Sequence, residues 1–215
     1  QILAGMNNKQ KALEILNEME NIEPANSEIN LTKANIYSQL QEFEKSIEEY
    51  KKAARTNDDD REDIYISIAF EYENLGNYPK AIEYLTKTLE INPANESVLY
   101  ELSFCFETAG MQNEGIRFFN KFIESNPFSR IAWFNLGVIF SQLELYEKAI
   151  DAYDFVIAID ESFSSAYFNK ANALMGLEKY EAAIAVYRET FEYEEPEALT
   201  YYYIGECFEK NEDYG

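Results

Sequence analysis

Residues 131–153 read IAWFNLGVIFSQLELYEKAIDAY. Trp133, Leu136 and Phe140 recur at intervals of three and four, and so do Tyr146, Ile150 and Tyr153. Each set marks one face of an α-helix. Gly137 lies within the first face and Ala149 within the second. A very small residue on each of two apolar faces lets the backbones approach closely while the large side chains interlock around them. The stretch therefore predicts a hairpin of two antiparallel helices, here termed A and B.

Stepping by 34 residues in both directions finds the hairpin again. With Trp133 as position 4, position 8 is Ala34, Ala69, Ser103, Gly137, Ala171 and Gly205, and position 20 is Ala12, Ser46, Ala81, Gly115, Ala149 and Ala183. All are Gly, Ala or Ser. Position 11 is Tyr37, Tyr72, Phe106, Phe140, Leu174 and Phe208; position 24 is Leu16, Tyr50, Leu85, Phe119, Tyr153 and Tyr187. Position 17 is aromatic at Phe43, Tyr78, Tyr146, Tyr180 and Tyr214 but not at Lys9 and Gln112. One extra residue falls in the run Asp58–Arg61, which reads as a linker and cap before the next helix A. Pro24, Pro93 and Pro127 share position 32, where Pro stops helix B. Asn26, Asn95, Ser129 and Ser164 are candidate N-caps. Gly76, Gly110 and Gly176 lie near the A–B turn, where a left-handed residue is useful.

The motif Trp133-x-x-Leu136-Gly137-x-x-Phe140, followed by Ala149-x-x-x-Tyr153, resembles the tetratricopeptide repeat signature, with Glu161 in place of its terminal Pro. The resemblance covers the whole chain. It implies an all-α fold, a right-handed superhelical α-solenoid of helix-turn-helix repeats. The array would run as a single unit over 1–215: the second half of a repeat in 1–26, full repeats at 27–61, 62–95, 96–129, 130–163 and 164–197, and helix A of a further repeat in 198–215. The chain opens inside a repeat and without Met, so a longer protein is expected, with any targeting segment outside these residues.

Composition narrows the function. There is no His, which removes the commonest general base and metal ligand. Nucleotide and hydrolase motifs are absent, so no catalytic residue, cofactor or metal is assigned and an enzyme is not expected. Asp58-Asp59-Asp60 lacks the Gly and distal Glu of a calcium loop. Cys105 and Cys207 both fall at position 10 of helix A, often apolar elsewhere, and read as interior small hydrophobes three repeats apart. The net charge of −22 repels phosphate backbones and anionic membranes and favours basic partners. It also simply keeps an extended array soluble. A cytoplasmic setting is favoured, and a periplasmic one is open if a signal peptide lies outside the fragment.

In the resembling family, helix A lines an inner groove through positions 2, 5, 9 and 12. Carried onto this chain, the resemblance nominates Ile66, Phe70, Glu73, Tyr100, Phe104, Glu107, Ile131, Phe134, Asn135, Val138, Phe168, Asn169 and Asn172 as partner-binding residues. Position 9 is usually Asn, as in Asn35 and Asn172, but Phe70, Phe104 and Val138 replace it in three successive repeats. Exposed aromatics in such a row exceed what soluble proteins normally leave bare. The expected function is a protein–protein interaction scaffold taking a peptide or protein segment with apolar anchors and basic flanks. The alternatives are a recruiting arm of a larger enzyme, or self-assembly as a homodimer through the groove. No basic residue occupies position 2, 5 or 6, so a carboxylate clamp of the chaperone type is not expected, and two position-6 asparagines are too few for the asparagine ladder of sugar-transferring members.

Overall fold

The computed structural model describes residues 2–195 and 197–211. Twelve α-helices follow one another among these residues, and no strand is present among them. The chain divides into two compact units, residues 1–109 and 110–215. The first contains α1 (Ile2–Ile22), α2 (Ser27–Gln39), α3 (Phe43–Thr56), α4 (Arg61–Asn74), α5 (Tyr78–Ile91) and α6 (Glu96–Thr108). The second contains α7 (Gln112–Ser125), α8 (Arg130–Gln142), α9 (Tyr146–Ile159), α10 (Ser164–Gly176), α11 (Tyr180–Glu189), a 3-10 turn at Thr190–Glu192, and α12 (Ala198–Lys210). Within each unit every helix packs on the next in the chain.

The small residues do what the periodicity asks. Ala34, Ser46, Ala69, Ala81, Ala149, Ala171 and Ala183 are wholly buried. The Ser46 hydroxyl donates to the carbonyl of Ala34 at 3.0 Å, which measures how closely α2 and α3 approach. At Gly137 an added Cβ would lie 2.6 Å from the Tyr153 ring. Gly205 is exposed, with nothing within 4 Å of an added Cβ among the described residues. Tyr214, expected at position 17, lies outside the described residues.

Turns and caps refine the expectations. Asn26, Asn95 and Ser129 accept backbone N–H groups at the starts of α2, α6 and α8. Ser164 does not cap: Phe163 holds the cap position, and the Ser164 hydroxyl donates to Glu194 at 2.8 Å. Asp60 stands at the α4 cap position, but its carboxylate accepts from the Asn57 side chain instead of the helix. The extra residue near it does not lengthen the linker; Arg61 simply becomes an additional first residue of α4. Gly76 and Gly110 are left-handed at φ +67°, as expected, but Gly176 is not the left-handed residue of its hairpin. That place belongs to position 15, which is Gln41, Glu144 and Glu178 in the other three hairpins, at φ 58–60°. The N–H groups that follow, such as Leu145 to the Phe140 carbonyl at 2.9 Å, close a Schellman-type end on helix A.

Buried charge accompanies the apolar faces. Lys33 stands at position 7, which Ile68, Leu102, Leu136, Lys170 and Ile204 fill elsewhere, and only 2% of it is exposed. It bridges Glu20 of α1 at 2.6 Å and Glu49 of α3 at 3.1 Å, so three helices share one ion-pair cluster. Lys52 pairs with the same two carboxylates at 3.2 and 2.9 Å from a more exposed position, so Glu20 and Glu49 share two cations. Both cysteines are free thiols and wholly buried, as position 10 implies. No helix among the described residues is long and apolar enough to cross a membrane.

Candidate functional site

In the first unit, α4 and α6 are the helix-A members of successive repeats and carry the nominated residues side by side. Phe70 is 60% exposed and Phe104 is 50% exposed. Tyr100 is also exposed, as is Glu107, while Ile66 and Glu73 are half-buried. A cleft of ≈ 320 Å³ opens between the two helices. Ile66, Phe70, Val98 and Leu85 form its apolar walls, and Glu73 and Glu101 supply the charge. The Phe104 ring rests edge-on against Tyr78, which fixes it beside the cleft.

The reason position 9 changes here is visible in the repeats that keep Asn, one before Phe70 and two after Phe104. Asn35 accepts a hydrogen bond from the Tyr50 hydroxyl at 2.7 Å, and Asn172 accepts one from Tyr187. Asn at position 9 thus serves a tyrosine at position 24. Leu85 and Phe119 hold position 24 in the repeats of Phe70 and Phe104 and have no hydroxyl to satisfy. In the Val138 repeat the Tyr153 hydroxyl instead pairs with Ser141 at 3.2 Å. Losing the hydroxyl explains why Asn is dispensable. It does not explain a large exposed ring in its place.

Glu101 was not among the nominated residues, yet it completes the site. Ligand-type atoms of Glu73, Glu101 and Cys105 all lie within 4.8 Å of one another. The Cys105 thiol donates to Glu73 Oε1 at 3.5 Å. Burial, and then the neighbouring Glu101 carboxyl, push Glu73 up to about 7, against a usual value of 4.5. Burial and the adjacent carboxylates push the Cys105 thiol far above its ordinary range, so it remains a thiol. Among the described residues no Lys or Arg forms an ion pair with Glu73 or Glu101. The cluster therefore sets two adjacent carboxyls, Glu73 and Glu101, next to exposed aromatics, with no ion-pairing cation among the described residues.

The second unit sorts its nominated residues differently. Ile131 is 1% exposed and Asn135 is 2% exposed, so both are interior residues and neither offers a surface to a partner. This corrects their place in the expected set; helix-A positions 2 and 6 are covered in this repeat. Phe134 and Val138 are half-buried against the Tyr153 and Ala149 core. Phe134 also meets Phe163 edge-on at 5.2 Å. Phe168 and Asn169 come together in a second cleft of ≈ 200 Å³, with Glu194, Glu197 and Leu199 across from them. Asn172 is committed to Tyr187.

Comparison with known proteins bears on the fold that carries these residues. Profiles described as tetratricopeptide repeat match residues 27–60, 62–95, 97–129, 131–163 and 168–215. No curated protein sequence matches the chain. Among solved structures, YrrB, a TPR protein described as having an unusual peptide-binding site, is similar with a TM-score of 0.59 and 17% identity over 90% of this chain and 99% of its own. The C-terminal part of a TPR repeat-containing protein from Cytophaga hutchinsonii gives a TM-score of 0.62 at 16% identity, over 87% of this chain and 74% of its own. MamA from Desulfovibrio magneticus RS-1 gives 0.57 at 15% identity, over 78% and 94%. At these identities the likeness is one of fold.

Proposed function

Because this chain belongs to the tetratricopeptide repeat family, a family of protein-interaction scaffolds, we propose that the face formed by α4 and α6 holds a partner segment carrying an apolar anchor next to a Lys or Arg. The observation that carries this reading is the pair Phe70 and Phe104, more than half and half exposed beside the Glu73–Glu101 carboxyls. Two bare aromatics on neighbouring helices cost hydration free energy until something covers them. Two adjacent carboxyls without a cation gain from one supplied in trans. An apolar side chain in the cleft with an ammonium or guanidinium against Glu73 and Glu101 meets both needs. The partner-binding set is then Ile66, Phe70, Glu73, Tyr100, Glu101, Phe104 and Glu107, with Phe168 and Asn169 as a second contact in the other unit.

The test is a double variant, Phe70→Ala with Phe104→Ala, measured against a partner obtained by crosslinking to the full-length protein and mapped onto α4 and α6. Both side chains are largely outside the core, so the helical circular dichroism should be unchanged. Affinity should fall by about 10-fold or more, the effect of losing roughly 1.4 kcal/mol of anchor contact. Unchanged affinity with the fold intact would rule out this face. The same apolar face would serve a second copy of the chain, and a monomer by light scattering at high concentration excludes that occupant.

A further inference from the structure

The helix-B side of the first unit carries a cleft of opposite character. Its volume is ≈ 220 Å³, and it is bounded by α3, α4 and α5. Its lining contains three cations, Lys51, Arg55 and Lys87, and no carboxylate. The two clefts described above contain carboxylates and no cation. In a chain with 40 acidic and 18 basic residues, this segregation runs against the overall field.

Two of the three cations, Lys51 and Arg55, have no carboxylate partner among the described residues. Lys51 and Arg55 lie one turn apart on α3, on the same face. Neither forms an ion pair with a carboxylate among the described residues, whereas the neighbouring Lys45, Lys52, Arg61 and Lys80 each do. The Lys51 ammonium instead donates to the Tyr72 hydroxyl at 2.8 Å and lies 5.2 Å from the Tyr72 ring centre. It lies 5.6 Å from the centre of the Tyr84 ring, and the Lys87 ammonium lies 4.3 Å from the same ring. Tyr84 is stacked on Tyr72 and met edge-on by Tyr65, each at 5.7 Å, so the aromatic wall that carries the cations is fixed in place. Lys87 is anchored from the other side by Glu83 at 2.7 Å.

The geometry points to an anion site here that takes a phosphoryl group, with Arg55 as the forked donor and the Lys51 and Lys87 ammonium groups flanking it. A carboxylate has two oxygens, and one guanidinium satisfies both. Donors arriving from two helices suit an anion with three or more acceptor oxygens and a charge near −2. The cleft has room for roughly seven waters at ~30 Å³ each, ample for a phosphate. This site is independent of the α4–α6 face proposed for partner binding.

The experiment is isothermal titration of the intact chain, at constant ionic strength, with three probes: inorganic pyrophosphate, N-acetyl-phosphoserine amide and acetate. Saturable one-to-one binding of a phosphoryl probe is expected, with Kd about 1 mM or tighter. The double variant Lys51→Ala with Arg55→Ala should bind at least 10-fold more weakly, with helical circular dichroism recorded on the same sample. Lys51→Arg, which keeps the charge, should retain binding and guards against a folding defect in the alanine variant. Tighter binding of phosphoserine amide assigns the site to a phosphorylated partner side chain, and tighter binding of pyrophosphate assigns it to a free phosphate compound. Absence of saturable binding, equal binding by acetate, or equal binding by the folded double variant would overturn the assignment.

Discussion

Glu73 sits where burial and a neighbouring carboxyl both oppose its ionisation, and that has a direct thermodynamic consequence. Its folded value of about 7 lies above its usual 4.5. Between these values the native state binds more protons than the unfolded state, so this group makes stability fall as pH rises from about 4.5 to about 7, and level off above. Solvent screens a half-buried pair, so the whole effect should stay within about 1 kcal/mol, roughly 2–4 °C in Tm. Glu73→Gln should flatten this slope and raise Tm at pH 8; a variant with the same slope as the parent would show that Glu73 is not the titrating group. Binding should respond in the opposite sense. A basic partner segment should bind more tightly at pH 8 than at pH 6, and Glu73→Gln should lose that difference. Nothing in the local sequence announces this pair. Glu73 and Glu101 are 28 residues apart, at positions 12 and 6 of successive helices, and only the stacking of α4, α5 and α6 brings them together.

At the scale of the element, the hairpin of α8 and α9 contains two positions where a single Cβ has opposite effects. At Gly137 the added methyl would meet the wholly buried Tyr153 ring at 2.6 Å, and that ring has nowhere to move. Gly137→Ala should therefore destabilise by about 1–2 kcal/mol, even though Ala is the better helix former by about 1 kcal/mol. Glu144 is exposed and left-handed at φ 58°, a conformation in which its Cβ is a cost. Glu144→Gly should stabilise by about 1 kcal/mol. Urea unfolding of the two variants checks both signs, and a stabilised Gly137→Ala would mean that α8 and α9 do not approach as closely as described. The need for a small residue at Gly137 was legible from the 34-residue spacing alone. The left-handed position was legible only where Gly marked it, at Gly76 and Gly110; Gln41, Glu144 and Glu178 adopt the same turn without a sequence signal, because the hydrogen bonds closing helix A outweigh the strain of one residue.

Across the whole molecule the net charge of −22 is the dominant long-range term. Like charges spread along stacked hairpins repel one another and attract basic partners from a distance. Raising NaCl from about 10 mM to about 150 mM shortens the screening length from roughly 30 Å to roughly 8 Å. Tm should rise over that range, and the association rate with a Lys- or Arg-bearing segment should fall by about 10-fold or more. Salt-independent association would mean that the acidic surface takes no part in recruitment. The fold was readable because each repeat states the same instruction again: large residues at fixed intervals on two helices, a very small one where they meet, and a stop between repeats. Such information is local, and any one hairpin carries it. What the periodicity could not state is which groove positions stay uncovered, so Ile131 and Asn135 read like Phe70 and Phe104 yet end up buried. Nor could it state which charges stay without partners: Glu73 beside Glu101 on one side of the first unit, Lys51 beside Arg55 on the other. Exposure and charge pairing are properties of neighbouring repeats in three dimensions, set by side chains some thirty residues apart, and only the packed structure brings those side chains face to face.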